Sequence, residues 1–91
     1  MNSVKENIPR KDNININVIL SYGIEAATII MEAYNSNSVQ SKLINIEKIA
    51  KLDNIKDEAK VKFIGDVLIR PKFKRLFIAN KLRKKLEEKN E

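Results

Sequence analysis

The sequence contains neither cysteine nor histidine, so a chain of 91 residues has to fold on a hydrophobic core alone. Disulfide bonds and thiolate metal sites are impossible. At this length the chain forms one domain with a single modest core. Apolar residues make up 43% of it, which is typical of a folded protein rather than a disordered one. Because the commonest general base and the cysteine nucleophile are both missing, we predict a protein without enzymatic activity, cofactor or metal ion.

The first twelve residues, MNSVKENIPRKD, are polar and carry no apolar core of a signal peptide. We expect residues 1–12 to form a flexible arm and residues 13–91 to form the single domain. No segment approaches the roughly 20 uninterrupted apolar residues of a membrane span. The expected location is therefore the cytoplasm, with no insertion into a membrane.

Positive charge is concentrated in one stretch of the chain. The net charge is +6, but residues 1–69 hold nine bases and nine acids, and residues 86–91 hold one lysine and three glutamates. The bases of residues 70–85, where no acid occurs, are Arg70, Lys72, Lys74, Arg75, Lys81, Arg83, Lys84 and Lys85. Such a stretch is typical of a phosphate-binding surface, whereas a solvated helix face usually mixes the two signs.

The first half of the domain predicts a strand followed by a buried helix. Residues 13–20, NININVIL, alternate asparagine with isoleucine or valine, which favours a strand, although the start of the next helix is the alternative. Residues 21–34 are helix formers and apolar almost all round, so this helix is either central in the fold or in a dimer interface. Residues 35–42 form a polar connection. The residues assigned to a dimer interface are Ile16, Val18, Tyr22 and Ile29.

The segment from Ile46 to Leu68, IEKIAKLDNIKDEAKVKFIGDVL, has the layout of a helix-turn-helix. Asn45 is predicted to cap a short helix that ends near Leu52, and Asp57 to cap a longer one that ends near Ile69.

Three residues fit the turn between these helices. Ala50 is small enough for a close helix crossing, Asn54 tolerates the backbone of a tight turn, and Ile55 fills the gap. In such a unit the second helix lies across the major groove of DNA, although any corner between two helices produces a similar pattern.

Two interpretations remain open for the chain after Ile69. In the first, residues 72–78 form a short hairpin and Asn80 caps a last helix over residues 81–89. In the second, Pro71 begins one long helix, a position where proline is tolerated. We favour the first, because Phe73 and Phe77 form one stripe while Ile78, Leu82 and Leu86 form a shifted one.

With IRPKFKRLFIAN (69–80) in the place of the wing, the chain resembles a minimal winged-helix DNA-binding domain over roughly residues 18–89. The wing lacks a glycine for its turn. The expected fold is mostly α, a winged helix-turn-helix with a short basic β-hairpin. In size and layout the chain looks like a TubR-type adaptor of plasmid or phage partition systems. That resemblance implies a homodimer that coats repeated centromere sites on double-stranded DNA and links them to filaments of a tubulin-like GTPase.

Eight residues are predicted to contact DNA. Glu58, Lys62 and Asp66 are placed on the face of their helix opposite the core, where both acids flank Lys62. The bases at the N-terminal end of that helix are better phosphate contacts, and the alanine between them suits a thymine methyl group. The predicted contacts are Lys56, Ala59, Lys60, Lys62, Arg70, Lys72, Lys74 and Arg75.

Three other functional classes stay open. A strand followed by two helices is also the order of a ribbon-helix-helix repressor, with Asn13, Asn15 and Asn17 facing the major groove. Residues 70–86 are also compatible with a basic amphipathic element on an anionic membrane, with Phe73, Leu76 and Phe77 inserted. The third alternative is a protein-binding module with no nucleic-acid ligand.

Overall fold

The computed structural model describes residues 14–89. The regular elements there are all α-helices: α1 Ile16–Ser21, α2 Ile24–Tyr34, α3 Val39–Ala50, α4 Asp57–Ile69 and α5 Lys72–Lys89. Since none of the described residues forms a strand, the predicted winged helix with its basic β-hairpin is wrong, and the strand predicted over residues 13–20 is replaced by α1. The arm predicted for residues 1–12 lies outside the described residues.

Asn15, one of the alternating asparagines on which the strand prediction depends, is the N-cap of α1. The Oδ1 atom of Asn15 accepts hydrogen bonds from the backbone N–H groups of Asn17, at 3.0 Å, and Val18, at 3.3 Å. This local contact favours the start of a helix over a pleated strand. Gly23 then separates α1 from α2 with a φ of 107°, a conformation that suits glycine, so α2 begins at Ile24 and not at Ser21.

Helix α2 is the centre of the fold and contacts each of the other four described helices. Three of its buried residues are alanines, which let neighbouring helices approach closely, and the largest buried side chains are Ile30 and Tyr34. The prediction of a helix buried on several sides is therefore confirmed.

Helix α3 begins earlier than predicted. The Oγ atom of Ser38 accepts a hydrogen bond from the N–H of Ser41 at 3.0 Å, so Ser38 is the N-cap. Asn45, the predicted cap, lies in the middle of α3 and is buried. Its Nδ2 donates to Ser36 Oγ at 3.1 Å and to the carbonyl oxygen of Glu32 at 3.3 Å. The asparagine attaches α3 to the end of α2, and the connection shortens to residues 35–38.

Helix α4 ends at Ile69, as the sequence predicts, but it begins at Asp57, the residue predicted to be its cap. Lys56 occupies the N-cap position, without a side-chain hydrogen bond. Asp57 and Glu58 lie in the first turn, where a carboxylate is stabilised by the helix dipole.

The turn before α4 is held by different contacts from those predicted. Ile55 is buried, which confirms its predicted place in the gap. Asn54 has no positive φ, and its Nδ2 donates to the carbonyl oxygen of Tyr22 at 2.6 Å. Ala50 is exposed at the end of α3 rather than at a helix crossing.

Helix α5 is continuous, which corresponds to the second interpretation of the sequence, and the predicted break at Asn80 is wrong. Arg70 ends α4 in an extended conformation, as expected before a proline. Pro71 has no N–H to satisfy at a helix start, and its carbonyl oxygen accepts from the N–H of Arg75 at 2.9 Å. The two stripes belong to one helix: Ile78, Leu82 and Leu86 are buried, whereas Phe73 and Phe77 are exposed.

Candidate nucleic-acid interface

The side chain of Arg75 closes the C-terminal end of α2 from inside the fold. Arg75 is only 5% exposed. Its Nη1 donates to the carbonyl oxygens of Ser36, at 2.7 Å, and Tyr34, at 3.2 Å, and its Nε donates to that of Arg70 at 3.3 Å. The last carbonyl groups of a helix have no partner within it, so the guanidinium satisfies groups that would otherwise be buried without one. Arg75 therefore stabilises the fold and does not face a ligand.

Arg70 is also buried, in a network with Asp66 and Tyr34. Both the Arg70 Nε, at 2.9 Å, and the Tyr34 hydroxyl, at 2.6 Å, donate to the same carboxylate oxygen, Asp66 Oδ2. The prediction that Asp66 faces solvent beside Lys62 is wrong. Burial, and then the hydrogen bond to the Asp66 carboxylate, raise the pKa of the Tyr34 hydroxyl well above its ordinary value.

Replacing Tyr34 by phenylalanine is expected to lower the free energy of unfolding by about 1 kcal/mol near pH 8, because Asp66 loses a donor. Most of this difference should disappear near pH 10.5. A hydroxyl whose pKa rises on folding contributes fully below its unfolded pKa of about 10, and that contribution is lost as the pH rises above this value. Urea denaturation of both proteins followed by circular dichroism measures the change. A difference that stays constant with pH would contradict the prediction.

Two more of the predicted DNA contacts are also used by the fold. The Nζ of Lys60 donates to the carbonyl oxygen of Ala50 at 2.9 Å and lies 4.0 Å from Asp57 Oδ1. Its side chain is only 16% exposed, so it closes the end of α3. Ala59 is half-buried against the core and does not project toward a groove.

The outer face of α4 does not suit phosphate or base contacts. Lys56 and Lys62 are exposed there, but they share the surface with exposed Val61, Leu68 and Ile69. This is the helix that the sequence assigned to the major groove. Its exposed residues also include the acids Asp57 and Glu58, which repel phosphate, and its apolar residues do not hydrogen-bond to base edges.

The residues assigned to a dimer interface mostly face the core. Ile16, Tyr22 and Ile29 are half-buried and pack against it, and the Tyr22 ring meets Phe63 edge-on at a centroid distance of 6.3 Å. Val18 is 42% exposed. These four residues therefore do not form one open apolar surface.

The exposed positive charge of the basic stretch lies on α5. The exposed cationic side chains are Lys72, Lys74, Lys81, Arg83, Lys84 and Lys85. Arg83 Nε lies 3.9 Å from Glu87 Oε2. None of the five lysines forms an ion pair with an acid among residues 14–89. Two of the predicted DNA contacts, Lys72 and Lys74, thus lie on the same helix as four further exposed bases, which come from its second half.

Two exposed phenylalanines lie among these cations. Phe73 is 85% exposed and Phe77 is 61% exposed. The Nζ of Lys81 lies 4.7 Å from the centre of the Phe77 ring. Phe73, Phe77, Lys74 and Lys81 form one side of an open groove of about 350 Å³, and Ile14 and Ile16 line it from the α1 side. Aromatic rings and ammonium groups therefore occur together on one surface.

The sequence contains the pattern that places these residues on one surface. Phe73 and Phe77 are four residues apart, and Lys81 and Lys84 follow at spacings that lie on the same side of a continuous helix. The predicted break at Asn80 divided this set into a hairpin and a separate terminal helix. Once α5 is continuous, the second half of the basic stretch joins the candidate interface.

Within residues 14–89, no group of acidic side chains is arranged to hold a metal ion, and no helix is both long and apolar enough to cross a membrane. Comparison with known proteins gives no match to a family model, to a curated protein or to a solved structure.

Proposed function

We propose that this protein binds nucleic acid through the exposed cationic side chains of α5. The observation that carries this proposal is that the bases of residues 70–85 have two different environments. The two arginines Arg70 and Arg75 are buried and hydrogen-bond within the fold, while the other six bases are exposed on one helix. The nearest acids of α5 are Glu87 and Glu88, near its end. Glu87 faces Arg83, and Glu88 lines a groove with three of the lysines. The bases of α5 still outnumber these two acids, and such an excess of positive charge attracts a polyanion.

The dimensions of α5 suit a phosphate backbone. From Lys72 to Lys85 the helix extends about 20 Å. Over that distance one strand of a duplex passes roughly six phosphates. Because α5 is held against α1 and α2, its lysines are presented by a fixed backbone, and only their side chains lose freedom on binding.

Base contact by a winged helix is not proposed, because residues 14–89 contain no wing. The self-association, repeated centromere sites and tubulin-like GTPase that the family resemblance implied stay predictions. What the exposed lysines support is contact with phosphates, which gives affinity without sequence selectivity.

A membrane surface fits α5 less well than a nucleic acid does. A helix that lies in a membrane interface separates an apolar face from a cationic face around its axis. In α5 the strongly apolar face, with Ile78 and Leu82, is buried in the core. Lys84 follows Phe73 by about three helical turns and so points in the same direction. Rings and cations that share one face match a ligand that presents bases and phosphates together.

Replacing the five exposed lysines of α5 by glutamine is expected to weaken nucleic-acid binding by at least about tenfold, because most counterion release is lost. The variant carries Lys72, Lys74, Lys81, Lys84 and Lys85 as glutamine and keeps Arg83. Fluorescence anisotropy with labelled single strands and duplexes, titrated over a range of salt, measures both affinity and its salt dependence. For the unmodified protein, contact with about six phosphates should give a slope of log K against log salt of roughly −5 on a duplex and roughly −4 on a single strand.

The matched control replaces five lysines outside α5, namely Lys42, Lys48, Lys51, Lys56 and Lys62. Both variants have the same net charge of +1, since each loses five of the six net positive charges. Binding should weaken far less in the control. Equal losses would indicate attraction by net charge alone, a larger loss in the control would place the interface on α3 and α4, and no binding by the unmodified protein at low salt would refute the proposal.

A further inference from the structure

We propose that Phe73 and Phe77 stack on unpaired bases, so that the preferred ligand of α5 is a single strand. This inference rests on the proposed function and adds the class of nucleic acid. Its starting point is the exposure of the two rings, 85% and 61%, on a helix that buries Ile78, Leu82 and Leu86. Apolar side chains that are exposed side by side and bordered by polar groups are typical of a binding surface.

The spacing of the rings suits successive bases. Residues four apart in a helix lie about one turn from each other, roughly 6 Å along the axis. An extended single strand offers the faces of its bases one after another, and each face stacks on an aromatic ring independently of its sequence. In a duplex the same faces are covered by neighbouring base pairs. The two rings would therefore have no base face to stack on in double-stranded DNA.

The groove beside the rings supplies the remaining features of a nucleotide site. Its walls are the two phenylalanines on one side and Ile14 and Ile16 on the other, and its volume of about 350 Å³ lies within the range of small-ligand sites. Lys74 and Lys81 line the same groove. A base thus finds apolar walls, and its phosphate finds a cation.

Lys81 places a cation for the phosphate next to an aromatic ring for the base. Its ammonium group lies 4.7 Å from the centre of the Phe77 ring, where the π-electrons attract it. A base that stacks on this face takes the place of the ammonium group, which is then close enough to bind the phosphate of the same nucleotide. The hydrocarbon chain of a lipid carries no charge, so an ammonium group inside the apolar site would not attract it.

Replacing both phenylalanines by leucine should separate stacking from apolar contact, because leucine keeps an apolar side chain and removes the π-face. We expect the variant to bind an oligothymidylate of about 20 nucleotides roughly tenfold or more weakly than the unmodified protein does. Its affinity for a duplex of the same length should stay within about twofold, because the lysines that contact phosphate are unchanged. The unmodified protein should prefer the strand, and this preference should disappear in the variant.

A direct signal of stacking comes from Phe73→Trp. The chain contains no tryptophan, so the new side chain is the only indole in the protein. We expect its emission to be quenched when oligothymidylate binds and to change little with the duplex. Affinity for the strand should be kept in this variant, since tryptophan preserves an aromatic face.

The outcomes separate this inference from the proposed function. If strand and duplex bind equally and the leucine variant behaves like the unmodified protein, stacking is refuted while phosphate binding by α5 stands. If neither nucleic acid binds, both ideas fail. Binding to vesicles that contain phosphatidylserine, without binding to oligothymidylate, would assign the rings to a membrane and overturn the inference.

Discussion

Replacing Arg75 by methionine is expected to lower the free energy of unfolding by about 3 kcal/mol, one of the two largest effects that we expect of a single substitution here. Methionine is apolar and of similar length, so the core stays filled. What is lost is the donor group that serves the carbonyl oxygens of Tyr34, Ser36 and Arg70. Buried carbonyl groups without a partner each cost about 1 to 3 kcal/mol, and removing the cost of burying the arginine charge offsets only part of this.

The matched control is Lys74→Met, which changes the neighbouring residue to the same side chain. Lys74 is exposed, so its replacement should alter the free energy of unfolding by no more than about 0.5 kcal/mol. Urea denaturation followed by circular dichroism at 222 nm, the usual wavelength for helix content, measures both variants. Equal stability of the two variants would mean that Arg75 does not hold the end of α2.

This contrast shows why adjacent bases of one stretch have different roles. Arg75 meets the carbonyl groups that end α2, about forty residues earlier in the chain, whereas Lys74 points away from the core. The same end of α2 receives Asn45 from α3, through Ser36 and the carbonyl oxygen of Glu32. The end of the central helix is therefore a polar junction that fixes the start of α5. By fixing that start, it also sets the direction in which the lysines of α5 point.

The parts of the fold that the sequence predicts well are those decided by local pattern. Helix α4 ends at Ile69, before Arg70 and Pro71, as the sequence predicts. Helix α2 is apolar on nearly every side, which follows from its central position. In α2 the neighbouring helices only complete what the spacing of apolar residues already requires. In α4 the spacing does not show that Val61 and Leu68 are exposed.

The wrong predictions concern residues whose role depends on a distant partner. Ser38 and Asn45 are both good helix caps, and the choice between them follows from the carbonyl group of Glu32 that Asn45 meets in α2. Arg70 and Arg75 look like the other bases of their stretch until Asp66 and the end of α2 are placed beside them. Sequence periodicity contains no information about such partners, so burial of a charged residue is not visible in it.

The hairpin was predicted for a different reason. Two apolar stripes after Pro71 predict two elements, because a helix packed on one side needs only one stripe. The second stripe, Phe73 and Phe77, is exposed and has no role in the core. An exposed apolar stripe on a continuous helix therefore has the same sequence pattern as a break in the secondary structure. That error points to the same two rings as the candidate interface does.

Replacing Lys81 by proline should distinguish a continuous α5 from two shorter elements. Lys81 lies in the middle of the helix, and proline there removes a backbone hydrogen bond and clashes with the carbonyl group one turn earlier. We expect the free energy of unfolding to fall by about 3 kcal/mol or more. If Asn80 instead capped a separate helix, residue 81 would be its first position, where proline is tolerated.

The control for this substitution is Lys81→Ala, which removes the ammonium group over Phe77 but keeps the backbone N–H. Its stability should stay within about 0.5 kcal/mol of the unmodified protein, since the lost contact is exposed and alanine favours a helix. Urea denaturation gives the two free energies, and circular dichroism of the folded proteins reports loss of helix in the proline variant alone. If proline and alanine are tolerated equally, the helix is broken at Asn80, and Phe77 and Lys84 no longer belong to one surface. A severe effect of proline alone would establish the continuous helix on which the rings and cations of the interface are aligned.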